Sequence, residues 1–166
     1  MNKKILVVII SGTPGTGKTT IARKIAAMHK LKYIAGESLI RKYALSEGYD
    51  PLRKCKIVNP NKFSKAMKQV ISSLSKETKG VVFDSHLSHV LSSKVVDHCI
   101  ITKCKLSVLK KRLVKRKYAQ KKIRENLDAE IFDVCYMEAL EKGHKVRIVD
   151  TTTAINPKVI SSMISP

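Results

Sequence analysis

The chain has 166 residues, the size of one typical domain, and its 33 Lys and Arg against 13 Asp and Glu give a formal net charge of +20. No apolar run is long enough to cross a bilayer, so the composition excludes a membrane-spanning protein, and we expect a cytoplasmic protein with a single domain at 1–166. The four cysteines form no CxxC pair and no His lies at zinc-finger spacing, which leaves zinc and redox motifs unsupported. We expect reduced thiols.

The basic residues are concentrated in two stretches of the chain. Residues 103–124 hold 11 basic residues and no acidic one, and residues 53–76 hold seven basic residues and no acidic one. A charge run is usually a solvated face that keeps a protein in solution. Because acidic residues do not balance these runs, we favour the other interpretation, a surface that faces RNA.

The first elements follow the pattern strand, glycine-rich loop, helix. Residues 5–10 are a continuous apolar run, typical of a strand buried on both faces, and a helical pattern then continues to His29. Between them, Gly12, four further residues and 17–19 match the Walker A pattern, which binds a triphosphate through backbone N–H groups, a lysine and a helix N-terminus. The alternative is a glycine-rich turn that binds nothing, and it does not explain why a buried strand, the loop and a helix follow one another in this order. The predicted nucleotide-binding residues are Gly15, Thr16, Gly17, Lys18, Thr19 and Thr20.

The middle of the chain continues the alternation. Residues 31–35 predict a second strand, residues 38–45 an amphipathic helix, and residues 47–51 a turn. Residues 81–84 predict a third strand, which ends in Asp84. A carboxylate at that end of a strand in a nucleotide-binding parallel sheet is typical of a Mg²⁺ ligand.

Further elements predict an α/β fold. They are a helix from residue 59, a strand at 98–102, a helix with Leu106, Leu109 and Leu113 on one face, a long helix at about 121–142 with Ile123, Leu127, Ile131, Val134 and Cys135 inward, a strand at 145–149, and a helix at 157–164. The alternation predicts a three-layer P-loop NTPase fold, with a five-stranded parallel sheet in the order 2-3-1-4-5 and helices on both faces. A GTPase is disfavoured because the guanine-specific NKxD pattern is missing.

Several stretches in this order resemble the nucleoside monophosphate kinases. Within that group the chain is most similar to the adenylate kinase isoenzyme six type, whose archaeal and eukaryotic members are tied to late maturation of the small ribosomal subunit. The stretches that carry the resemblance are 12–20, Glu47-Gly48-Tyr49-Asp50, Asp84-Ser85-His86, Arg116-Lys117-Tyr118, Lys122-Ile123, Glu125-Asn126 and 129–132.

The resemblance implies a role for each matching residue. Asp84, with Thr19, would hold Mg²⁺, and His86 would contribute to phosphate transfer or hydrolysis. Arg116 maps onto the lid arginine that contacts ATP, and Arg41 lies on the helix that would hold the monophosphate. The catalytic residues implied in this way are Lys18, Asp84, His86 and Arg116.

The resemblance also implies an activity. We expect an ATP- and Mg²⁺-dependent adenylate kinase, ATP + AMP → 2 ADP, with ATPase activity, a monophosphate-binding insertion at about 35–58 and a lid at about 115–125. Small-subunit pre-rRNA and ribosomal protein S11 are the implied partners, and we expect a monomer. Two alternatives stay open: an ATPase switch that acts mainly as an assembly factor, and a small-metabolite kinase related to shikimate or cytidylate kinases.

Overall fold

A computed structural model describes residues 5–165. The strands are β1 (Leu6–Ser11), β2 (Lys32–Ala35), β3 (Ser46–Asp50), β4 (Cys55–Val58), β5 (Gly80–Asp84), β6 (His98–Lys103) and β7 (Val146–Asp150). The helices are α1 (Lys18–His29), α2 (Gly36–Lys42), α3 (Pro60–Ser72), α4 (Leu106–Lys115), α5 (Gln120–Ile131), α6 (Val134–Glu141) and α7 (Pro157–Ser162). These strands and helices alternate except where β3 and β4, β5 and β6, and α4, α5 and α6 are consecutive. None of the helices in this described range is long and apolar enough to cross a membrane.

One parallel sheet has the strand order β2-β5-β1-β6-β7, with β1 at its centre. The predicted order, 2-3-1-4-5, is the same arrangement with only the five parallel strands numbered. The strand numbers differ because β3 and β4 pair separately as an antiparallel hairpin. Ile10 of β1 is in register with Asp84 of β5. The loop that follows β1 therefore begins beside the carboxyl end of β5.

Helices cover both faces of this sheet, which confirms the predicted three layers. Val7 and Ile9 pack into a core with residues of α2, α3 and α6, whereas Val8 and Ile10 pack into a second core with α1 and α7. Alternate residues of one strand thus enter opposite cores, and this is why β1 reads as an unbroken apolar run.

Residues predicted as a turn at 47–51 are instead mostly strand. β3 contains Ser46–Asp50, and the turn lies at 51–54, where Asp50 Oδ1 accepts hydrogen bonds of 2.9 Å from the backbone N–H of Leu52 and of Arg53. Lys54 is left-handed, with φ of 48°. The strand is largely exposed and polar, so it lacks the apolar alternation by which strands are recognised.

The long helix predicted at 121–142 is broken into α5 and α6. Asp133 adopts a left-handed φ of 52°, and its carboxylate pairs with the ammonium group of Lys103 on β6. Because of this break, Ile131 and Val134, predicted to face inward, are 55% and 37% exposed, whereas Ile123 is buried as predicted. An interaction with a distant strand therefore replaces the local helical preference.

An ion pair joins the hairpin to α5. Arg53 Nε donates to Glu125 Oε2 at 3.0 Å, and because both side chains are exposed to solvent the pair adds little stability. It connects the region predicted to bind the monophosphate with α5 at the end of the predicted lid.

Candidate nucleotide-binding and phosphoryl-transfer site

The glycine-rich loop has the backbone that an anion cradle needs. Gly12, Gly15 and Gly17 all have positive φ, of 135°, 96° and 88°. A side chain at Gly12 would place its Cβ 2.5 Å from the carbonyl oxygen of Thr102, so only glycine fits there. Gly17 is the N-cap of α1, and no side chain caps that N-terminus. The first N–H groups of α1 are thus available to an anion.

Lys18 lies over this loop. Its Nζ donates hydrogen bonds to the carbonyl oxygens of Gly12 at 2.8 Å and Thr13 at 3.0 Å. Desolvation by burial lowers the pKa of Lys18 to about 8, with Asp84 acting against the shift and Arg116 adding to it. The ammonium group is therefore still mostly charged at pH 7, and its weak carbonyl partners can be exchanged for phosphate oxygens.

Asp84 and Thr19 meet beside Lys18. Thr19 Oγ1 donates to Asp84 Oδ2 at 2.7 Å, and the hydroxyl of Tyr33 donates to the same oxygen at 2.8 Å. Both predicted metal ligands are hard oxygen donors, and Mg²⁺ is usually held by one or two such groups together with phosphates and water. The pair fits Mg²⁺. Tyr33, which the sequence analysis missed, orients the carboxylate.

Thr16 turns its side chain into the loop instead of toward solvent. Its Oγ1 donates to the carbonyl oxygen of Thr13 at 2.8 Å and lies 2.7 Å from the hydroxyl oxygen of Thr102 on β6. The Thr16 side chain therefore holds the loop in shape, and only its backbone is free to meet a phosphate.

His86 and Arg41 lie on different parts of the fold. His86 lies two residues after the end of β5, where desolvation of its ring, followed by the Lys18 charge, lowers its pKa to about 4. The ring is thus neutral at pH 7. Arg41 is exposed in the last turn of α2, and within residues 5–165 no hydrogen bond or ion pair joins its side chain to another predicted site residue.

A cleft of about 700 Å³ opens next to the phosphate loop. It lies between the start of α1, the end of α4 and residues 151–155, which follow β7. Its volume is in the range of small-molecule sites, so it has room for the base and ribose of a nucleotide. Four of the predicted ATP-binding residues line it: Gly15, Gly17, Thr20 and Arg116.

Arg112 ties three parts of this site together. Its guanidinium donates to the carbonyl oxygen of Thr151 at 2.6 Å and to the Thr151 hydroxyl at 3.1 Å, and it reaches the carbonyl oxygen of Gly15 at 3.4 Å. The Thr151 hydroxyl in turn donates to the carbonyl oxygen of Thr16 at 2.5 Å. Neither residue was among the site residues predicted from the sequence. Thr151 could have been predicted from its position, because like Asp84 it lies at the carboxyl end of a parallel strand. Arg112 has no such position.

Replacing Arg112 with alanine is expected to lower the free energy of unfolding by about 1–3 kcal/mol, because it leaves buried acceptors at Thr151 unpaired. The KM for ATP should rise as well, since the loop and the cleft wall lose their common partner. Thermal unfolding and initial-rate kinetics measure the two effects. Alanine at Lys111, the exposed neighbour on α4, is the matched control and should change neither.

Comparisons with known proteins show which proteins this chain is similar to. A family model described as AAA domain matches residues 8–133. The chain is 33% identical over 162 residues to the "Putative adenylate kinase" of Pyrococcus furiosus, covering 96% of this chain and 83% of the relative. It is 34% identical over 157 residues to the protein of that name from Methanocaldococcus jannaschii, covering 95% and 83%.

Solved structures show the same fold at lower identity. A sugar kinase from a Janibacter species superposes with a TM-score of 0.62 at 16% identity, covering 95% of this chain and 91% of that one. Shikimate kinase from Acinetobacter baumannii does so with a TM-score of 0.60 at 12% identity, covering 98% and 92%. These two likenesses concern the fold alone, whereas the archaeal relatives and the matching family model identify the family. The chain therefore belongs to the P-loop kinase family that includes the archaeal proteins named "Putative adenylate kinase".

Proposed function

We propose that this phosphotransferase moves the γ-phosphoryl group of ATP to AMP or another nucleoside monophosphate, so that ATP and AMP give two ADP. The observation that carries the proposal is the meeting of Lys18, Thr19 and Asp84 at the uncapped N-terminus of α1. A cleft lined by Arg116 adjoins them. Charges and donors for a triphosphate thus converge where an adenosine also fits.

Each residue has a physical role in this reaction. The loop N–H groups and Lys18 hold the β- and γ-phosphates, and Arg116 approaches the transferring group when residues 115–125 close over it. When bound to Thr19 and Asp84, Mg²⁺ neutralises charge on the phosphate oxygens. The neutral His86 ring accepts a hydrogen bond near the attacking oxygen, and Arg41 holds the acceptor phosphate. Positioning and charge neutralisation supply most of the rate.

Hydrolysis of ATP is part of the same proposal. If no monophosphate is bound, water can occupy the acceptor position, and the same charges then assist its attack on the γ-phosphoryl group. Closure of the lid limits this reaction because it excludes water. The ratio of kinase to ATPase activity therefore depends on how well the acceptor fills its side of the site.

A coupled assay of ADP formation, with AMP present and absent, tests this proposal. We expect ADP formation to rise on addition of AMP, with two ADP formed for each ATP consumed, and to depend on Mg²⁺. A panel of acceptors that includes other monophosphates and shikimate distinguishes the small-metabolite alternative. Transfer to a metabolite without a phosphate group, and not to AMP, would contradict the proposal.

A second proposed role is that of an assembly factor for the small ribosomal subunit, with pre-rRNA and ribosomal protein S11 as partners. All seven basic residues of 53–76 are exposed, as are most of those in 103–124. By contrast, residues 125–141 hold no basic residue, and Asp128, Glu138 and Glu141 are exposed there, as are Phe132 and Met137 at 72% and 49%. The basic surface supports contact with RNA, and this acidic and apolar surface supports contact with a basic protein.

Affinity for small-subunit RNA is expected to fall steeply as salt rises, because phosphate contacts release counterions. Replacing Lys65 and Lys68 with alanine should reduce the slope of log affinity against log salt by about 1 for each lost contact. Fluorescence anisotropy with labelled RNA measures the slope. The same change at Lys145 and Lys158, outside both basic runs, should leave it unaltered. RNA binding that does not respond to salt would contradict this role for the basic surface.

A further inference from the structure

A buried row of side chains lies behind the segment that carries His86. Ser11 Oγ, in the last residue of β1, is 3.0 Å from the carbonyl oxygen of His86 and 2.8 Å from His89 Nδ1. His89 Nε2 is 2.8 Å from Glu138 Oε2 on α6. Ser11 and His89 are 0% and 2% exposed, whereas half of the Glu138 side chain reaches solvent. The row therefore links the surface of α6 with the phosphoryl-transfer site.

The hydrogens available to this row depend on the charge of His89. The row has three contacts: Ser11 with the His86 carbonyl oxygen, Ser11 with His89, and His89 with Glu138. Each contact needs one hydrogen, and the Ser11 hydroxyl supplies one of the three. A neutral imidazole supplies one more, which leaves one contact without a hydrogen. An imidazolium supplies two, so only the protonated His89, paired with the Glu138 carboxylate, completes all three contacts.

The two charge states differ at the His86 carbonyl. When His89 is neutral, its Nε2–H donates to Glu138 and its Nδ1 accepts the Ser11 hydroxyl hydrogen. The Ser11 hydroxyl then no longer donates to the His86 carbonyl oxygen. With His89 protonated, Nδ1–H donates to Ser11 Oγ, and the hydroxyl is free to donate to the His86 carbonyl oxygen. That oxygen otherwise has Cys135 Sγ at 4.0 Å, a weak donor.

We propose that Ser11, His89 and Glu138 form a proton-sensitive relay that positions the His86 segment of the phosphoryl-transfer site. Protonation of His89 allows Ser11 of β1 to donate a hydrogen bond to the His86 carbonyl oxygen, which fastens the His86 segment to β1. Loss of that proton breaks this hydrogen bond. All three are positioning residues, since they act on the site through the backbone of His86. The effect on catalysis rests on the proposed phosphotransfer, whereas the relay itself does not.

Several charged groups set the pH at which the relay changes. Burial lowers the pKa of His89, and Glu138 on α6 acts against that shift. His144, before β7, and Lys142, at the end of α6, lower the pKa further, and His86 faces His89 from the same loop. His89 is therefore neutral at pH 7, and the fastened state forms as the pH falls below neutrality.

NMR spectroscopy of the full chain tests the relay without any substrate. As the pH is lowered from about 8 to about 5, the range in which imidazoles change charge, His89 takes up its proton and the carbonyl ¹³C resonance of His86 should move downfield with the same midpoint. In a Ser11→Ala variant, His89 should still titrate while the His86 carbonyl no longer follows it. In a Glu138→Gln variant, both midpoints should shift to lower pH, because the opposing carboxylate is gone.

The matched control is Ser88→Ala. Ser88 is also buried, and its hydroxyl donates to the carbonyl oxygens of Ile10 and Ser85 and makes no hydrogen bond with the His89 ring. This variant should keep the coupled titration. The proposal is overturned if the His86 carbonyl ignores the titration of His89 in the unaltered chain, if it follows equally in Ser11→Ala, or if His89 stays neutral throughout the range.

Kinetics separate this proposal from the proposed function. In the unaltered enzyme, kcat should show an inflection at the midpoint of His89 that Ser11→Ala removes, with the KM for ATP unchanged. A coupled titration in a chain without phosphotransfer would support the relay and overturn the proposed function. Phosphotransfer with the inflection retained in Ser11→Ala would support the function and overturn the relay.

Discussion

Replacing Lys18 with alanine is expected to reduce turnover by about 10²-fold or more, which is the scale of a single preorganised charge in a transition state. The Nζ group lies over the loop, bonded to the carbonyl oxygens of Gly12 and Thr13, and it carries the charge that would meet the β- and γ-phosphates. Alanine keeps the helix start intact, because it is the best helix former. The loss should therefore appear in kcat while the fold survives.

Initial rates of ADP formation, together with thermal unfolding, measure both parts of this prediction. Alanine at Lys68, an exposed residue of α3 on the opposite face of the sheet from α1, removes a positive charge and is the control. Its rate should equal that of the unaltered chain. A Lys18→Ala variant with unchanged turnover would remove Lys18 from the proposed mechanism.

Arg116 is expected to contribute more, about 10³-fold in rate, if it stabilises the transferring phosphoryl group in the closed state. It is exposed at the end of α4, lines the cleft beside the phosphate loop and adds to the lowering of the pKa of Lys18. No hydrogen bond or ion pair holds its side chain within residues 5–165, so it can turn toward a nucleotide. Arg116→Ala should therefore lower kcat with little change in stability.

Arg116→Lys provides a second measurement. Lysine keeps the charge but loses the planar fork that binds two phosphate oxygens, so it should recover only part of the rate. Lys111→Ala on the same helix controls for the loss of one charge from the basic run. If Arg116→Ala and Lys111→Ala were equally active, Arg116 would be one more solvated charge.

Local pattern was enough for most of the fold. The apolar run that became β1 and the glycine pattern that became the phosphate loop are each short-range signals. The helix predicted from residue 59 is α3, and its Phe63, Met67 and Val70 side chains are buried. The contact between Thr19 and Asp84 could also be predicted, because parallel strands bring their carboxyl ends to one edge of the sheet.

Local pattern failed where a distant partner or an exposed strand decided the conformation. Asp133 breaks the long helix in a left-handed conformation beside Lys103, 30 residues away in the chain. The hairpin strand β3 is polar because it faces solvent and lies outside the main sheet. Neither feature has a period that a sequence window can detect.

The sequence by itself determined the phosphate loop, the alternation of strands and helices, and the place of Asp84 at a strand end, since each depends on neighbours in the chain. Only the tertiary structure decided that Arg112 ties Thr151 to the loop and that Ser11 joins His89. The residues of those contacts are 39 and 78 positions apart. Such pairs leave no local pattern, because their geometry exists only once the sheet has brought the two segments together.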